Sequence, residues 1–355
     1  MAFLEFDNVR IAGMSAGVPS QVVDNLSIQQ DGRKYSSEIF VKESGVRKRR
    51  YSAVLCTSDL CCEAAEKLIA DLGWNKDEIG ALAFVSQSAD YMLPCTACIL
   101  QDRLGLSTEC YAFDCTLGCS GWVYGLSQVL SLLSAGSIRK ALLMCGDIAQ
   151  GEDASAHSLF GSAGTVTAVE YKEGAGKFRF HFGTDGSGYD AIILPVGARN
   201  RGFLKKTKES DAGNKLMSAR MNGLDVLAFS VTRAPESVRK LAEHYGFDYQ
   251  DSDYYVFHQA NMKINNLLIK RLGLDAGKVP HSIGEYGNTS SASIPLTIVT
   301  QLKDRVTSAP ARFICCGFGV GLSWGTVAFS TDGIVVPDLV EVSDGKAWKG
   351  YNYGL

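Results

Sequence analysis

One local sequence occurs twice in this chain, and the repetition constrains the fold more than any other feature. Arg103-Leu104-Gly105-Leu106 returns as Arg271-Leu272-Gly273-Leu274, 168 residues later. The flanks agree. Ala81 to Val85 reads as a buried strand, followed by a helical stretch toward Arg103; Tyr254 to Phe257 reads as a strand, followed by a helix over Lys263 to Lys270. A polar turn opening a helix follows each copy, and then strands ending in Cys145-Gly146 and Cys316-Gly317, offset by 171. Strands alternating with helices in two equivalent halves predict mixed or parallel sheets with helix layers. The halves divide as 1–197 and 217–331, with a basic, polar boundary that includes Arg199-Asn200-Arg201 and Lys205-Lys206-Thr207-Lys208. That stretch reads as a solvated loop, or alternatively as a docking surface for an acidic partner. Residues 332–355 form a C-terminal extension whose Trp348, Tyr351 and Tyr353 predict packing onto the body or onto another subunit.

Composition excludes several classes. A net charge of −3 gives no electrostatic case for nucleic acid or an anionic membrane. No apolar run reaches the about 18 residues of a membrane span. Met1 to Gly13 lacks a basic region followed by an apolar core, so no secretion signal is expected and the expected location is the cytoplasm. Eleven cysteines is an odd number, which fits reduced thiols better than a disulfide framework. Cys56, Cys61, Cys62, Cys110 and Cys145 read as small core residues. Cys95-Thr96-Ala97-Cys98 has no second pair or nearby histidines at ligand spacing, which argues against zinc and leaves a redox motif as the minor reading.

Chemistry concentrates in Phe113-Asp114-Cys115-Thr116-Leu117-Gly118-Cys119-Ser120-Gly121-Trp122. An apolar, β-prone stretch precedes Cys119. Trp122, Val123, Leu126, Val129, Leu130 and Leu133 follow at helical spacing. Cys119 therefore sits where a strand turns into a buried helix. Free backbone N–H groups and the helix dipole favour a thiolate there, and the turn can offer an N–H to a developing oxyanion. The repeat projects Cys119 onto position 287, beside Asn288, so both residues fall at the start of equivalent helices. Asn288 alone would read as a helix cap. His258 ends an apolar strand in Val256-Phe257-His258-Gln259-Ala260-Asn261, a place for a structural histidine or for a site. Gly317-Phe318-Gly319-Val320-Gly321 precedes a strand rather than a helix, so it is not a dinucleotide loop. It reads as a tight turn, or as a turn that brings backbone N–H groups close to a ligand.

Taken together these motifs resemble the thiolase-fold condensing enzymes, most closely the β-ketoacyl-acyl-carrier-protein synthase III family, over roughly residues 7 to 331. The resemblance rests on Ala112-Phe113-Asp114 with Gly118-Cys119-Ser120-Gly121, His258-Gln259-Ala260-Asn261, Gly287-Asn288-Thr289-Ser290 and Gly321-Leu322-Ser323-Trp324-Gly325. Leu159-Phe160-Gly161, Gly183-Thr184-Asp185-Gly186-Ser187 and Met221-Asn222-Gly223 support it. It implies a duplicated five-layer αβαβα fold with mixed sheets. It implies Cys119 as the acylated nucleophile, His258 and Asn288 as the pair that assists decarboxylation, and the N–H groups of Cys119 and Gly321 as the oxyanion hole. Phe40, Leu93, Met221, Asn222, Gly223 and Asn261 are the implied substrate contacts, and Lys263 the implied carrier-docking residue.

The implied reaction is acylation of Cys119 by a thioester, then decarboxylative condensation with a malonyl thioester on acyl carrier protein. The product is a β-ketoacyl thioester, in fatty-acid initiation or a specialised lipid or polyketide pathway. No metal or redox cofactor is implied; coenzyme A or phosphopantetheine thioesters are substrates. The family is usually homodimeric. Two departures bear on the donor. Where the family has a stacking tryptophan and an arginine that help hold coenzyme A, this chain has Ile39 and Glu43, which leaves Phe40 as the nearby ring. A further basic position appears as Ala228. The donor is thus an acyl-coenzyme A or an acyl-carrier thioester. Tyr91-Met92-Leu93-Pro94 matches the loop that lines the acyl pocket, often across the dimer interface. The alternatives are acyl transfer to an alcohol or amine without decarboxylation, and a non-catalytic acyl-binding partner.

Overall fold

A computed structural model describes residues 2–28, 36–149, 158–194 and 220–350. Two large sheets carry the architecture. The first runs Val340–Val342 (β15), Val9–Pro19 (β2), Ala163–Tyr171 (β8), Lys140–Asp147 (β7), Ile79–Val85 (β5) and Tyr111–Cys115 (β6). The second runs Ala2–Phe6 (β1), Phe178–Thr184 (β9), Ser323–Asp332 (β14), Pro310–Gly319 (β13) and Tyr254–Phe257 (β12). Two small pairs, Val22–Asp24 (β3) with Lys48–Arg50 (β4) and Ile192–Ile193 (β10) with Arg220–Met221 (β11), complete the described strands.

The duplication is visible strand by strand. From β2 through β8 and β7 to β5 the pairings are antiparallel, antiparallel and parallel. From β9 through β14 and β13 to β12 they are the same. Among the described residues the second sheet has no counterpart to β6. There Val279 to Ser282 passes without forming a strand, and Pro280 has no N–H to give to a ladder.

Two helices lie between the sheets, Gly121–Ala135 (α4) and Ser293–Gln301 (α8). Thr57–Leu72 (α2) and Thr96–Arg103 (α3) cover the outer face of the first sheet. Gly223–Tyr245 (α5) and Met262–Leu272 (α6) cover the outer face of the second. The central strands read as unbroken apolar runs because both their faces are buried. Along β7, Ala141, Leu143 and Cys145 face the middle layer while Leu142 and Met144 face the outer one. Along β13, Phe313 and Cys315 face inward while Ile314 and Cys316 face outward. The remaining α-helices among the described residues are Ser37–Ser44 (α1), Ile283–Tyr286 (α7) and Lys303–Ser308 (α9).

The strand pairing corrects the division of the halves. β9 precedes residue 197 yet belongs to the second sheet, so that sheet is entered between Tyr171 and Phe178. The outermost strands are also exchanged. β1 pairs with β9 in the second sheet, and β15, from the C-terminal extension, adds in parallel to β2 in the first. The basic stretch with Arg199 and Lys205 lies outside the described residues, as do Tyr351 and Tyr353. The described part of the extension packs on this chain's own body. Trp348 N–H donates to the buried Asp59 carboxylate at 3.1 Å, and the Arg103 guanidinium lies 5.3 Å from the Trp348 ring.

Candidate active site

Cys119 lies in the turn between β6 and α4. Glycines let that turn pass through a crowded point. A Cβ on Gly118 would sit 2.1 Å from Gln87 Oε1, and one on Gly121 would sit 2.6 Å from Val85 Cγ1. The six apolar residues from Trp122 to Leu133 are buried, as the helical spacing predicts. From the other sheet, β13 brings Gly319 against the nucleophile: a Cβ there would lie 2.8 Å from Cys119 Sγ. A hydroxyl latch holds the two turns together. Ser120 Oγ and Ser323 Oγ are 2.7 Å apart, and Ser323 Oγ donates to the Val320 carbonyl at 2.7 Å.

His258 follows β12 directly and is buried. Its backbone N–H donates to the Cys316 carbonyl at 2.9 Å, and its Nδ1 lies 2.8 Å from Ser293 Oγ at the start of α8. The Phe318 ring covers it edge-on at 5.5 Å. Asn288 is held by its backbone, donating to the Leu159 carbonyl at 2.8 Å and accepting from Gly161 N–H at 3.0 Å. Gly287 before it has φ 67°, and a Cβ there would meet Leu159 O at 2.8 Å, so the matched Leu159-Phe160-Gly161 segment is a packing partner of this turn. Asn288 Oδ1 accepts from Ser290 N–H at 2.9 Å; Asn288 stands one residue ahead of Thr289, which holds the N-cap position of the short helical turn Ser290–Ala292. Its Nδ2 makes no hydrogen bond among the described residues and stays available to a ligand.

Ser290, a non-glycine residue at φ 51°, ties the three together. Its hydroxyl approaches both Cys119 and Asp147, and its backbone hydrogen-bonds His258. Asp147, buried at the end of β7, accepts at Oδ1 from Gln87 N–H at 2.7 Å, Ser86 Oγ at 3.0 Å and Ser88 Oγ at 3.1 Å. Its Oδ2 and Ser290 Oγ are buried without a hydrogen bond of standard geometry.

The electrostatics run against the expectation of a resting thiolate. Burial pushes the Cys119 thiol up to about 11, and the Asp147 carboxylate adds to the push. Hydrogen bonds from Ser290 and from the backbone at Cys119 and Val320 pull it down but do not prevail. Burial likewise lowers His258 to about 3, so its imidazole is neutral.

Gly321 is the expected partner of Cys119 in an oxyanion hole. The backbone group that reaches the sulfur beside that of Cys119 belongs to Val320. Gly321 stands one position further on, at φ 141°, before the peptide bond to Leu322.

The other expected contacts divide. Phe40 is half-buried on α1, which abuts α6 through Gly45 and Met262, and Lys263 is exposed on the first turn of α6. Leu93 is 86% exposed and Met221 51% exposed. Gly223 is exposed at the start of α5. Asn222 and Asn261 serve as helix caps. Asn222 Oδ1 accepts from Leu224 N–H at 3.2 Å while its Nδ2 donates to Asp225 at 2.6 Å. Asn261 Oδ1 accepts from Ile264 N–H at 2.9 Å. Ser290, Ser293, Val320 and Asp147 were not singled out by sequence reasoning. The repeat carried a signal for Asp147, since its equivalent is Phe318, which covers His258.

Among the described residues, no group of three or more His, Cys, Asp or Glu side chains is placed to hold a metal ion, and no helix is long and apolar enough to cross a membrane.

Comparison with known proteins gives one answer. Residues 113–186 match the family described as 3-oxoacyl-[acyl-carrier-protein] synthase III, and residues 242–331 match that family's C-terminal part. The β-ketoacyl-[acyl-carrier-protein] synthase III of Clostridioides difficile is 32% identical over 320 residues, which covers 89% of this chain and 96% of the relative. The crystal structure of a 3-oxoacyl-(acyl-carrier protein) synthase from Burkholderia xenovorans superposes with a TM-score of 0.89 at 38% identity, covering 96% of this chain and 99% of the other. A priming β-ketosynthase of the R1128 polyketide pathway, 22% identical with a TM-score of 0.79, shares the fold. This duplicated five-layer sandwich, with a cysteine and an asparagine before equivalent helices and a histidine at a strand end, thus belongs to the β-ketoacyl-[acyl-carrier-protein] synthase III family of thiolase-fold acyltransferases.

Proposed function

We propose that Cys119, His258 and Asn288 carry out a decarboxylative Claisen condensation. The observation that carries this reading is their convergence around Ser290 and Ser293, where two repeat-related buried helices begin. Cys119 Sγ attacks an acyl thioester; the thiol proton leaves with the departing pantetheine thiol, and the acyl group stays on sulfur. The N–H groups of Cys119 and Gly321 serve as the oxyanion donors to the oxygen that gains charge in this step. A malonyl thioester carried by acyl carrier protein then occupies the site. Neutral His258 and the Asn288 Nδ2 donate hydrogen bonds to its thioester oxygen as the carboxylate leaves as carbon dioxide. The carbanion attacks the acyl carbon, the carbon–sulfur bond to Cys119 breaks, and the thiolate recovers a proton. This chemistry calls for no metal or redox group.

On this reading Phe40, Leu93, Met221 and Gly223 border the substrate path, and Lys263 meets the acidic carrier. Ile39, 48% exposed, and Glu43 weaken coenzyme A binding, which favours an acyl-carrier thioester as donor. The working form is a homodimer in the cytoplasm. The test is intact-protein mass after incubation with acyl-coenzyme A and acyl-carrier thioesters, with Cys119→Ala as control. Acyl adducts on the parent alone, discharged by malonyl-acyl carrier protein with release of carbon dioxide, are expected. Adducts that persist in Cys119→Ala would remove the nucleophile from the proposal, and discharge without carbon dioxide would replace condensation by simple acyl transfer.

A further inference from the structure

The chemistry above leaves Cys95 and Cys98 unused, and their geometry separates them from the chain's other thiols. Cys95 Sγ and Cys98 Sγ lie 3.2 Å apart, one helical turn from each other at the start of α3. Among the described residues no other two sulfurs are hydrogen-bonded to each other. Cys61, Cys62, Cys145, Cys315 and Cys316 are buried, whereas Cys98 is exposed and Cys95 half-exposed. Cys95 occupies the N-cap position without capping the helix through its side chain. That work is done by Asp114, whose two carboxylate oxygens accept from Thr96 and Ala97 N–H, each at 2.7 Å. The Cys95 thiol is therefore free to face Cys98, and the turn carrying both is anchored to β6, the strand that leads to Cys119.

We propose that Cys95 and Cys98 form a reversible dithiol–disulfide couple whose reaction partner is a low-molecular-weight disulfide. One thiolate attacks a sulfur of the small disulfide and expels one small thiol, leaving a mixed disulfide on the protein. The second cysteine attacks the protein sulfur of that bond and expels the other small thiol. Two S–H bonds are lost from the protein and one S–S bond is gained, and two electrons and two protons leave as the pair of small thiols. The second step is intramolecular between groups already in contact, so the mixed disulfide does not accumulate. A carboxylate at the helix start offsets the dipole that would otherwise hold a thiolate, and Cys98 is shifted up by its bond with Cys95 and by Asp114. A pair whose reduced form lacks thiolate stabilisation makes a persistent disulfide, opened by a dithiol reductant.

The experiment treats the native full-length protein with oxidised glutathione, blocks the remaining thiols with an alkylating reagent, and maps peptides by mass spectrometry. The expected result is a Cys95–Cys98 link in most molecules, lost after dithiothreitol. Cys95→Ser is expected to trap glutathione on Cys98 instead. Full alkylation of both residues after oxidant, or stable glutathione adducts on them in the parent, would overturn the proposal. Because the readout is the bond itself, it stands or falls independently of the acylation of Cys119.

Discussion

Gly319→Ala tests the site's geometry most directly. Gly319 has no positive φ, so alanine meets no backbone penalty there and the consequence comes from its side chain alone. The new carbon would lie 2.6 Å from Cys119 Cβ and 2.8 Å from Sγ. Carbon–carbon contacts rest at about 3.5–4.0 Å, so one side must move by roughly 1 Å. The nucleophile turn cannot retreat freely, because Ser120 and Ser323 latch it to β14, whose Ser323 pairs directly with Gly319 on β13. A displacement of this size in a reacting atom costs on the order of a hundredfold in rate, and overpacking costs about 1–3 kcal/mol of stability. The assay is the time course of Cys119 acylation by intact mass, alongside denaturant unfolding. Gly176→Ala, where an added carbon meets nothing within 4 Å, is the control. Acylation by Gly319→Ala within threefold of the parent would refute the argument that the two half-sites are packed in contact.

Three further outcomes follow from the same geometry. Asn288→Ala should leave Cys119 acylation nearly intact while slowing carbon dioxide release from malonyl-acyl carrier protein by about 10²–10³-fold, the usual cost of one lost oxyanion donor; equal losses in both steps would assign Asn288 a structural role. His258 binds a proton near pH 3 when folded and near 6.5 when unfolded, so stability falls as pH drops from 6.5 toward 3, by up to about 1.4 kcal/mol per unit. Denaturation of the parent and of His258→Gln at several pH values should show the shallower slope in the variant, and equal slopes would count against a buried neutral imidazole. With its thiol raised to about 11, Cys119 should react with iodoacetamide about tenfold faster per pH unit from 7 to 10; a plateau near pH 7 would mean that the turn holds a thiolate after all.

Much of this protein was determined by local pattern. The recurrence of Arg-Leu-Gly-Leu marks two equivalent halves, and strands buried on both faces must be apolar throughout. A cysteine flanked by glycines can make the passage from β6 to α4, and the helix it opens must bury the stripe from Trp122 to Leu133. His258 at a strand end and Asn288 at a helix start follow from the same periodicities. The tertiary structure decided what depends on contacts distant in sequence. Whether β1 joins β9, or β15 joins β2, is set by which sheet edge is open, and an edge is a property of the assembled sheet. Burial reversed the expected charge state of Cys119, because the low dielectric that opposes a thiolate arises only when both halves close over it. The same closure brought Ser290 beside Cys119, while a neighbouring strand of the same sheet supplied Asp114 to cap the helix start that carries Cys95 and Cys98.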